Sequence, residues 1–406
     1  MNILFLTLSN IIDIDESGIY SDLIRGLAKK NHNVYVATPI ERRYKKNTFL
    51  IENSQVDWHK NVKILKIKTG NIQKTNIIEK GLSTLKLENI FIRTIKKYFS
   101  SIKFDLIIYS TPPITLVKTI EYFKKKLNCK TYLMLKDIFP QNAVDLGMFK
   151  KTGIKGVLYK YFRKKEIKLY KISDYIGCMS EANIKYIINS NKFLSPSKVE
   201  LFPNSIEYRD VYLTINEKNL VREKYGIPLN KKVFVYGGNL GRPQGIQFML
   251  DCIEKEKNNK DVFFLIIGDG TEFNKIKSFL ENKQIINCKL MNKIPKEDYD
   301  KMIVCCDVGL LFLDYRFTIP NFPSRLLSYM QAGLPILACT DINTDVGSII
   351  EKGGFGWWCP SNDTEMFSLM VKKAILDKTN YYEIEKDFIK NNYSIDLNIR
   401  RIEEII

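Results

Sequence analysis

Histidine, paired cysteine and long apolar runs are all scarce in this sequence. It contains only two histidines, His32 and His59, among 406 residues. Its eight cysteines are scattered, and none of them forms a Cys-x-x-Cys pair. The sequence therefore predicts neither a zinc site nor a disulfide framework, and we expect no metal and no cofactor. Most of the cysteines lie in apolar, strand-like runs, which is typical of buried free thiols.

No stretch approaches the roughly 18–20 apolar residues that a membrane-spanning helix needs. The opening residues, Met1 to Leu8, are apolar, but they lack a basic flank and a small-residue cleavage site. We interpret them as a first strand and not as a signal peptide. We therefore expect a cytoplasmic protein whose contact with a membrane is peripheral.

The charge is distributed unevenly along the chain. The net charge is +18, yet residues 1–204 carry 36 Lys and Arg against 17 Asp and Glu, whereas residues 205–406 carry 27 against 28. One half is strongly basic and the other is neutral, so one half is expected to face an anionic partner. Charge alone leaves open whether that partner is a nucleic acid, an anionic lipid surface or a phosphorylated substrate.

Short β-branched and aromatic runs alternate with longer amphipathic stretches. The clearest predicted strands are Asn2–Leu8, Asn33–Thr38, Asp105–Tyr109, Thr131–Leu135, Val233–Gly237, Val262–Gly268, Val308–Leu313 and Pro335–Ala338. The predicted helices include Tyr20–Lys30, Ile246–Glu256 and Ser324–Ala332. Continuous apolar strands that alternate with helices indicate parallel sheets covered on both faces. The predicted fold class is therefore α/β, with two Rossmann-like domains facing each other across a cleft.

The domain boundary is expected where the charge balance changes. Residues 205–230 are polar, contain no clear strand and precede a new strand–loop–helix pattern. We predict an N-terminal domain over 1–204, a linker over 205–230 and a C-terminal domain over 231–392. The remaining helix, 393–406, either stays with the second domain or crosses back to the first.

The strongest local signal is a glycine-rich loop between a predicted strand and a predicted helix. It runs from Tyr236 to Gly245, and its candidate ligand contacts are Gly238, Asn239, Gly241, Arg242 and Gln244. Glycines let backbone amides approach a phosphate, and an arginine offers a cationic fork to its oxygens. A tight turn with a solvent-facing arginine is the structural alternative. The spacing is not Gly-x-Gly-x-x-Gly, so a dinucleotide fingerprint is poorly supported.

Two more loops follow in the same half of the chain. The second loop, 267–272, contains Gly268 and Asp269, and the third, 320–325, opens a helix. The candidate residues of the third loop are Asn321, Phe322, Pro323, Ser324 and Arg325. In a parallel sheet such loops converge on one edge, which favours a site for a nucleotide diphosphate over three independent turns.

The order and spacing of these pieces, together with several in the first half, resemble a known family. The shared segments are 17–34, 136–140, 179–181, 199–204, 237–245, 268–270, 307–311, 323–335 and 353–356. The chain is similar to the retaining, GT-B-fold glycosyltransferases of family 4, especially those of bacterial O-antigen and capsule synthesis. In that family the C-terminal domain holds the nucleotide sugar and the N-terminal domain presents the acceptor.

The resemblance implies residue roles in both halves. Gly238, Asn239 and Arg242 would face the diphosphate, and the start of the third-loop helix would meet the phosphates or the donor sugar. The backbone expected against the base is that of Met291, Asn292, Lys293 and Ile294. Gly18, before the first helix, is also counted among the substrate-binding residues.

The chain departs from the family pattern at two places. The broad family has a Lys where this chain has Gln244, and it has a Glu-x7-Glu pair at the positions of Pro320 and Ser328. A Glu at the second position would accept hydrogen bonds from ribose hydroxyls, and Ser328 could replace it only weakly. Some branches of polysaccharide synthesis resemble this chain in having Gln in the first loop and Pro-Ser-Lys/Arg-Leu in the third.

Carboxylates in the first half are candidates for the acceptor side. Asp137 follows a predicted buried strand, and it is our candidate catalytic carboxylate together with Arg242 as catalytic cation. A cap or turn role before Pro140 is the alternative for Asp137. The Asp13-x-Asp15 pair resembles a metal-binding motif, but it follows the first strand, and we interpret it as loop.

A basic segment, 150–171, has nine Lys and Arg and one acidic residue, interleaved with apolar side chains. A basic helix with an apolar face commonly lies on an anionic lipid surface, although it could equally pack on its own domain. The residues expected at the lipid surface are Lys150, Lys151, Lys155, Lys160, Arg163, Lys164, Lys165 and Lys168.

The sequence thus predicts a metal-independent glycosyltransferase, peripheral on the inner face of the plasma membrane. It would move a sugar, such as an N-acetylated amino sugar, from a UDP-linked donor to a lipid-linked saccharide, and we expect no nucleic acid partner. The alternatives are a nucleotide-sugar epimerase, a degenerate homologue and a non-catalytic basic protein that binds membrane or nucleic acid. An epimerase would need a cluster of His and acidic residues, and signatures of nucleic-acid-binding motifs are missing.

Overall fold

A computed structural model shows two compact units, each built on a mostly parallel β-sheet. The first unit contains Met1–Glu207 and Ile395–Ile406, and the second contains Tyr208–Ser394. The structure describes residues 1–405 except 10, 12, 53–56, 73–76 and 113. The predicted α/β class, with one sheet in each half of the chain, is confirmed.

The first unit has one sheet of eight strands in the spatial order β3-β4-β2-β1-β5-β6-β7-β8. Its strands are β1 Asn2–Leu6, β2 Asn33–Glu41, β3 Phe49–Glu52, β4 Val62–Thr69, β5 Leu106–Thr111, β6 Lys130–Leu135, β7 Tyr175–Cys178 and β8 Val199–Leu201. The connecting helices are α1 Ile19–Lys29, α2 Ile77–Tyr98, α3 Val117–Leu127, α4 Gln141–Asp145, α5 Gly153–Ile172 and α6 Glu181–Ser190. Strand β3 is antiparallel to β4, and the other neighbouring strands are parallel.

Strand β2 shows why the strands of this sheet are apolar throughout. Val34 and Val36 lie in the core on the α1 side of the sheet. Tyr35 points the other way and packs edge-on against Phe99, just after α2, with ring centroids 5.1 Å apart. Both faces of a parallel strand are therefore buried, which is the reason for a continuous apolar run in place of alternation.

The second unit has six parallel strands in the order β11-β10-β9-β12-β13-β14. Its strands are β9 Lys232–Asn239, β10 Val262–Asp269, β11 Cys288–Asn292, β12 Val308–Phe312, β13 Ile336–Thr340 and β14 Gly356–Pro360. Its helices are α7 Ile215–Lys224, α8 Ile246–Lys255, α9 Phe273–Asn282, α10 Lys296–Val304, α11 Arg325–Gln331, α12 Val346–Gly353, α13 Thr364–Leu376 and α14 Tyr382–Asn392.

The structure divides the chain shortly after the end of the predicted first domain. The first stretch of the first unit ends at Glu207, and the segment expected to be a linker, 205–230, contains helix α7 of the second unit. Its capping box explains why a helix forms in so polar a segment. The Thr214 hydroxyl accepts a hydrogen bond from the Glu217 amide, and the Glu217 carboxylate accepts one from the Thr214 amide.

The last helix, α15 (Ile395–Glu404), belongs to the first unit and packs on α1. Ile395, Ile399 and Ile402 contribute its buried face. At Gly26 of α1 a side chain would come within 2.5 Å of the Ile399 methyl group, so the two helices can approach this closely only at a glycine.

A buried ion pair also joins distant parts of the first unit. Asp22 accepts a hydrogen bond from the Arg25 guanidinium at 2.5 Å, and its second carboxylate oxygen accepts one from the Glu207 amide at 3.0 Å. Arg25 also donates to the carbonyls of Ile14 and Glu16. These bonds attach both the loop after β1 and the end of the unit's first stretch to α1.

Candidate functional site

The candidate ligand loops of the second unit follow neighbouring strands at one edge of its sheet. The chain runs outward from β9 to β10 and β11, and then returns to β12 on the other side of β9. The strand order therefore reverses between β9 and β12. In open parallel sheets, ligands bind at the carboxyl ends of the strands at such a reversal.

Several amides of the glycine-rich loop already have partners within the protein. The Gly237 amide donates to the Tyr329 hydroxyl at 3.0 Å, and the Leu240 amide donates to the Asp269 carbonyl at 3.0 Å. The Gly241 amide donates to the Gln244 side-chain oxygen at 3.2 Å. These three amides therefore hold the loop in its conformation through hydrogen bonds within the protein.

Gln244 belongs to the framework of this loop. Its side-chain oxygen also accepts a hydrogen bond from Asn239 Nδ2 at 3.2 Å. Gln244 therefore bonds to both Asn239 and Gly241 and stabilises the turn between them. A lysine at this position would have placed a positive charge here, whereas Gln244 provides an acceptor for the loop's own donors.

Arg242 lies at the tip of the loop and is 64% exposed. Its nearest carboxylate is that of Glu272, with Nε 4.0 Å from Oε1. An exposed ion pair at that distance contributes little to stability, and the guanidinium remains able to reach a ligand.

Arg325, the first residue of α11, lies beside the loop with its guanidinium carbon 4.3 Å from the centre of the Tyr236 ring. Its Nη1 atom is buried and has no hydrogen-bond partner among the residues that the structure describes. Among the residues that the structure describes, Arg325 forms no ion pair with a carboxylate. A buried cationic donor without an acceptor is unfavourable, and an anionic ligand would satisfy it.

Gly238 allows the backbone to come this close to Arg325. Its φ of +130° is strained for other residues, and a Cβ atom there would lie 3.3 Å from Arg325 Nη2. A side chain at the neighbouring Gly237 would collide with the hydroxyl of Tyr299. Tyr236, Tyr299 and Tyr329 therefore surround the guanidinium, and sequence reasoning did not identify any of the three. Tyr236 and Tyr299 lie on β9 and α10, far from Arg325 in the chain, and only Tyr329 lies near it, one turn further along α11.

The second loop lies against the first. Gly268 pairs with Gly238 and Asp269 pairs with Asn239 across β9 and β10. Next to them, Met291 and Asn292 end the outer strand β11. Lys293 and Ile294 follow in the loop after that strand. All of these positions lie at the carboxyl edge of the sheet.

The third loop differs from its predicted form. Helix α11 begins at Arg325 and has only seven residues, so Pro323 and Ser324 precede it, and Ser324 forms no side-chain cap. The Asn321 carbonyl accepts a hydrogen bond from the Thr344 hydroxyl at 2.6 Å. Phe322 is buried, and the centroid of its ring lies 5.9 Å from that of Tyr393. Its side chain therefore packs in the interior and stabilises the loop. Ser328 lies one turn into α11.

In the first unit, Asp137 follows β6 and is partly buried. Both carboxylate oxygens accept hydrogen bonds from Asn142 Nδ2, at 2.9 and 2.7 Å. Burial raises the pKa of Asp137 to about 6, against the lowering effect of the Ile138 amide and Asn142. Burial likewise lowers the pKa of the adjacent Lys136 to about 7. Its ammonium group donates to the Phe202 carbonyl at 3.4 Å.

Gly18 and the Asp13-x-Asp15 pair lie in the loop after β1. Gly18 is the N-cap residue of α1, and its amide donates a hydrogen bond to the Asp22 carboxylate at 3.0 Å. The Asp15 amide donates to the Asp13 carboxylate at 2.9 Å, which is the geometry of a loop turn. Within the described part of the chain, no three His, Cys, Asp or Glu side chains are grouped to hold a metal ion.

The basic segment forms helix α5, and its cations fall into two groups. Arg163, Lys165 and Lys168 lie within 4 Å of Glu166, Glu88 and Glu121, respectively, and these pairs join α5 to its neighbours or to its own turn. The remaining cations whose side chains are exposed are Lys160, Lys164 and Lys171 on the helix, and Lys150 and Lys151 just before it. The side chain of Lys155 lies outside what the structure describes.

Exposed apolar side chains accompany these lysines. Val157 is 69% exposed and Tyr161 is 44% exposed, with Leu158 between them. Residues three and four apart share one side of a helix, so these three form an apolar surface bordered by Lys160 and Lys164. None of the described helices is long and apolar enough to cross a membrane.

Comparison with known proteins gives a consistent result. Residues 217–395 match the family model "Glycosyl transferases group 1". The probable glycosyltransferase WbjE of Pseudomonas aeruginosa is 26% identical over 336 residues, which is 81% of this chain and 80% of WbjE. A UDP-Gal:alpha-D-GlcNAc-diphosphoundecaprenol alpha-1,3-galactosyltransferase of Escherichia coli is 21% identical over 241 residues, covering 55% of this chain and 59% of its own length.

Among solved structures, HepE of Anabaena in complex with UDP and glucose superposes with a TM-score of 0.71. The two chains are 14% identical, and the match covers 100% of this chain and 99% of HepE. Similarity at this level of identity establishes the fold, and the predicted GT-B fold is confirmed.

Proposed function

We propose that this chain, a GT-B-fold glycosyltransferase with a group 1 domain, transfers a sugar from a UDP-linked donor to a lipid-linked saccharide with retention of configuration. The product would be part of a cell-surface polysaccharide such as an O-antigen or a capsule. The second unit binds the donor and the first unit binds the acceptor. Relatives whose names include colanic acid synthesis and a diphosphoundecaprenol acceptor support this assignment.

The observation that carries the donor assignment is the buried Nη1 atom of Arg325, which has no hydrogen-bond partner among the described residues. Arg325 lies at the reversal of strand order, beside a loop whose glycines let the backbone come close. A diphosphate supplies oxygens that accept from a cationic fork. Arg325, together with the exposed Arg242, thus provides two cations, although the lysine of the broad family is replaced by Gln244.

These cations also account for catalysis without a metal. As the bond between the anomeric carbon and the phosphate oxygen breaks, negative charge grows on the departing nucleotide diphosphate. Arg325 and Arg242 stabilise that charge, because donors already in place need no reorganisation. The acceptor hydroxyl oxygen forms the new bond to the same face of the anomeric carbon, and its proton moves to the departing phosphate oxygen.

Asp137 serves the acceptor side. In its ionised form it accepts a hydrogen bond from the acceptor hydroxyl and makes that oxygen a better nucleophile. With a pKa of about 6, most of the Asp137 carboxyl groups are ionised at pH 7. Because Asp137 is not required to remove the proton completely, a carboxylate of this basicity is sufficient.

The exposed part of α5 is proposed to place the first unit on the inner face of the plasma membrane. Lys160 and Lys164 would approach anionic headgroups, and Val157, Leu158 and Tyr161 would enter the interface. Each engaged lysine contributes about 1 kcal/mol near an anionic leaflet. The acceptor, carried by a membrane lipid, would then be available to the basic unit.

Thermal unfolding with nucleotides tests the donor site. UDP, GDP, ADP, TDP and inorganic pyrophosphate are added to wild-type protein and to the Arg325→Met variant, each with and without EDTA. We expect UDP to raise the Tm of the wild type, with or without EDTA. Arg325→Met should weaken UDP binding about 10–100-fold, since charge-assisted hydrogen bonds contribute about 1.5–3 kcal/mol.

Two outcomes would count against the proposal. Equal UDP stabilisation of the wild type and a folded Arg325→Met variant would remove Arg325 from the site. No stabilisation by any nucleotide, with no sugar transfer from UDP-sugars to a lipid-linked acceptor, would indicate a non-catalytic binding protein instead.

A further inference from the structure

Asn142 has an unusual environment beside Asp137. It is the second residue of the short helix α4, five positions after the carboxylate, and its Nδ2 atom donates to both oxygens of Asp137. Its own Oδ1 atom is buried and has no hydrogen-bond partner among the residues that the structure describes. The amide therefore satisfies the carboxylate and leaves its own acceptor unsatisfied.

A purely structural role does not explain this arrangement. An unsatisfied buried acceptor destabilises the folded protein, and so does a buried carboxylate. An apolar side chain at 142 and a neutral one at 137 would avoid both effects. Such combinations persist where a group must be held ready for a ligand.

We propose that Asn142 is a positioning residue that holds the Asp137 carboxylate in the orientation and charge state in which it contacts the acceptor hydroxyl. This inference rests on the proposed function, in which Asp137 acts on the acceptor side. The amide can donate only to the ionised carboxylate or to a carbonyl oxygen, so it favours the ionised form. Glu166 on α5 is the other charged group that acts on Asp137, and its charge is balanced by Arg163 at 2.6 Å.

The same helix provides a matched control. Gln141, the residue before Asn142, donates from Nε2 to the Asp145 carboxylate at 2.7 Å. The Gln141→Leu variant therefore removes an amide–carboxylate bond on α4 without touching Asp137. Asn142→Leu removes the bond under study with a side chain of similar size.

The first measurement is kcat/KM for sugar transfer between pH 5 and pH 8.5. For the wild type we expect activity to fall as the pH drops through about 6, where Asp137 takes up a proton. Asn142→Leu removes a bond that favours the ionised form, so this acid limb should move to higher pH by about one unit, a tenfold change in proton affinity. Gln141→Leu should leave it in place. An Asn142→Leu enzyme with a lower rate but an unmoved limb would overturn the proposal.

The second measurement needs no activity and separates this inference from the proposed function. Because the folded-state pKa of Asp137 is raised above 3.8, ionising it weakens the folded protein as the pH rises through about 6. Relative to the wild type, Asn142→Leu should lose more stability to urea at pH 8 than at pH 5. That extra loss should disappear when Asp137→Asn is added. If it persists in the double variant, Asn142 does not act through Asp137, whatever reaction the enzyme catalyses.

Discussion

The two units share an architecture but differ in how they carry charge. The first unit has 38 Lys and Arg against 21 Asp and Glu, and the second has 25 against 24. Yet the candidate site of the neutral unit contains Arg325, whose guanidinium lies against Tyr236 and whose buried Nη1 atom has no hydrogen-bond partner among the described residues. Net charge therefore indicates which unit approaches an anionic surface, whereas the site for a small anion depends on one residue and its local burial.

The first unit contains exposed cations without a carboxylate partner and a buried cation that has one. Lys160 and Lys164, which are exposed on α5, have no carboxylate partner among the described residues, while the buried Arg25 is paired with Asp22. In the second unit, the nearly buried Arg222 is paired with Asp307 at 2.7 Å, whereas the Nη1 atom of Arg325 is buried and has no hydrogen-bond partner among the described residues. The following predictions test whether the first unit serves the acceptor and the membrane while the second unit binds the donor. They begin with the largest expected effect.

Asp137→Asn should lower kcat by roughly 10²–10⁴-fold, because a neutral amide oxygen still accepts a hydrogen bond but is a far weaker base toward the nucleophilic hydroxyl than a carboxylate. The affinity for UDP should stay unchanged, since the donor belongs to the second unit. Steady-state kinetics with calorimetric UDP binding would check both statements. Asp13→Asn, an exposed carboxylate in the loop after β1, is the control and should retain activity. A large loss of UDP affinity in Asp137→Asn would contradict the division between the units.

Asp22→Asn should destabilise the first unit by about 1.5–3 kcal/mol, because the buried Arg25 loses its closest carboxylate and keeps only that of Glu207 at 3.2 Å. Urea unfolding followed by hydrogen exchange would locate the loss, which is expected in α1 and α15 and not in β9. The control is Lys63→Gln, which breaks an exposed pair with Glu52 and should change stability by less than about 1 kcal/mol. Equal destabilisation by both variants would show that burial of the pair is unimportant.

Lys160→Gln combined with Lys164→Gln should weaken binding to anionic vesicles about 30-fold, at about 1 kcal/mol per lysine. Sedimentation with phosphatidylglycerol vesicles would measure this, and added salt should reduce the difference. The matched double variant changes Lys372 and Lys373, exposed lysines of α13 in the second unit. If both double variants bind equally, the membrane proposal for α5 is wrong. UDP binding should be the same in all of these proteins.

Eight of the fourteen strands that the structure describes were predicted from the sequence, because burial on both faces leaves a local pattern. The predicted Val262–Gly268 is observed as Val262–Asp269, and Thr131–Leu135 as Lys130–Leu135. Short edge strands such as β3 and β8 were not predicted, since three or four partly buried residues leave little pattern. Helix α7 was taken for a linker because its polar composition conceals it.

The site was harder to predict because its contacts are long-range. The sequence indicates which loops end at the carboxyl edge, and it correctly brings Gly238, Gly268 and Arg325 to one edge of one sheet. It does not indicate that Gln244 would turn inward to the loop. It also does not indicate that tyrosines from three elements would surround Arg325, or that Asn142 would hold Asp137.

The return of α15 to the first unit has a consequence for synthesis of the protein. A ribosome makes residues 1–207 first, but the α1 surface around Gly26 stays uncovered until Ile395–Ile402 have been made. All of residues 208–394 must be translated in between. That continuous unit can fold while the first unit still lacks α15. We therefore expect the nascent chain to acquire its second unit before its first is complete, and chaperones to recognise the exposed apolar groove on α1 during that interval.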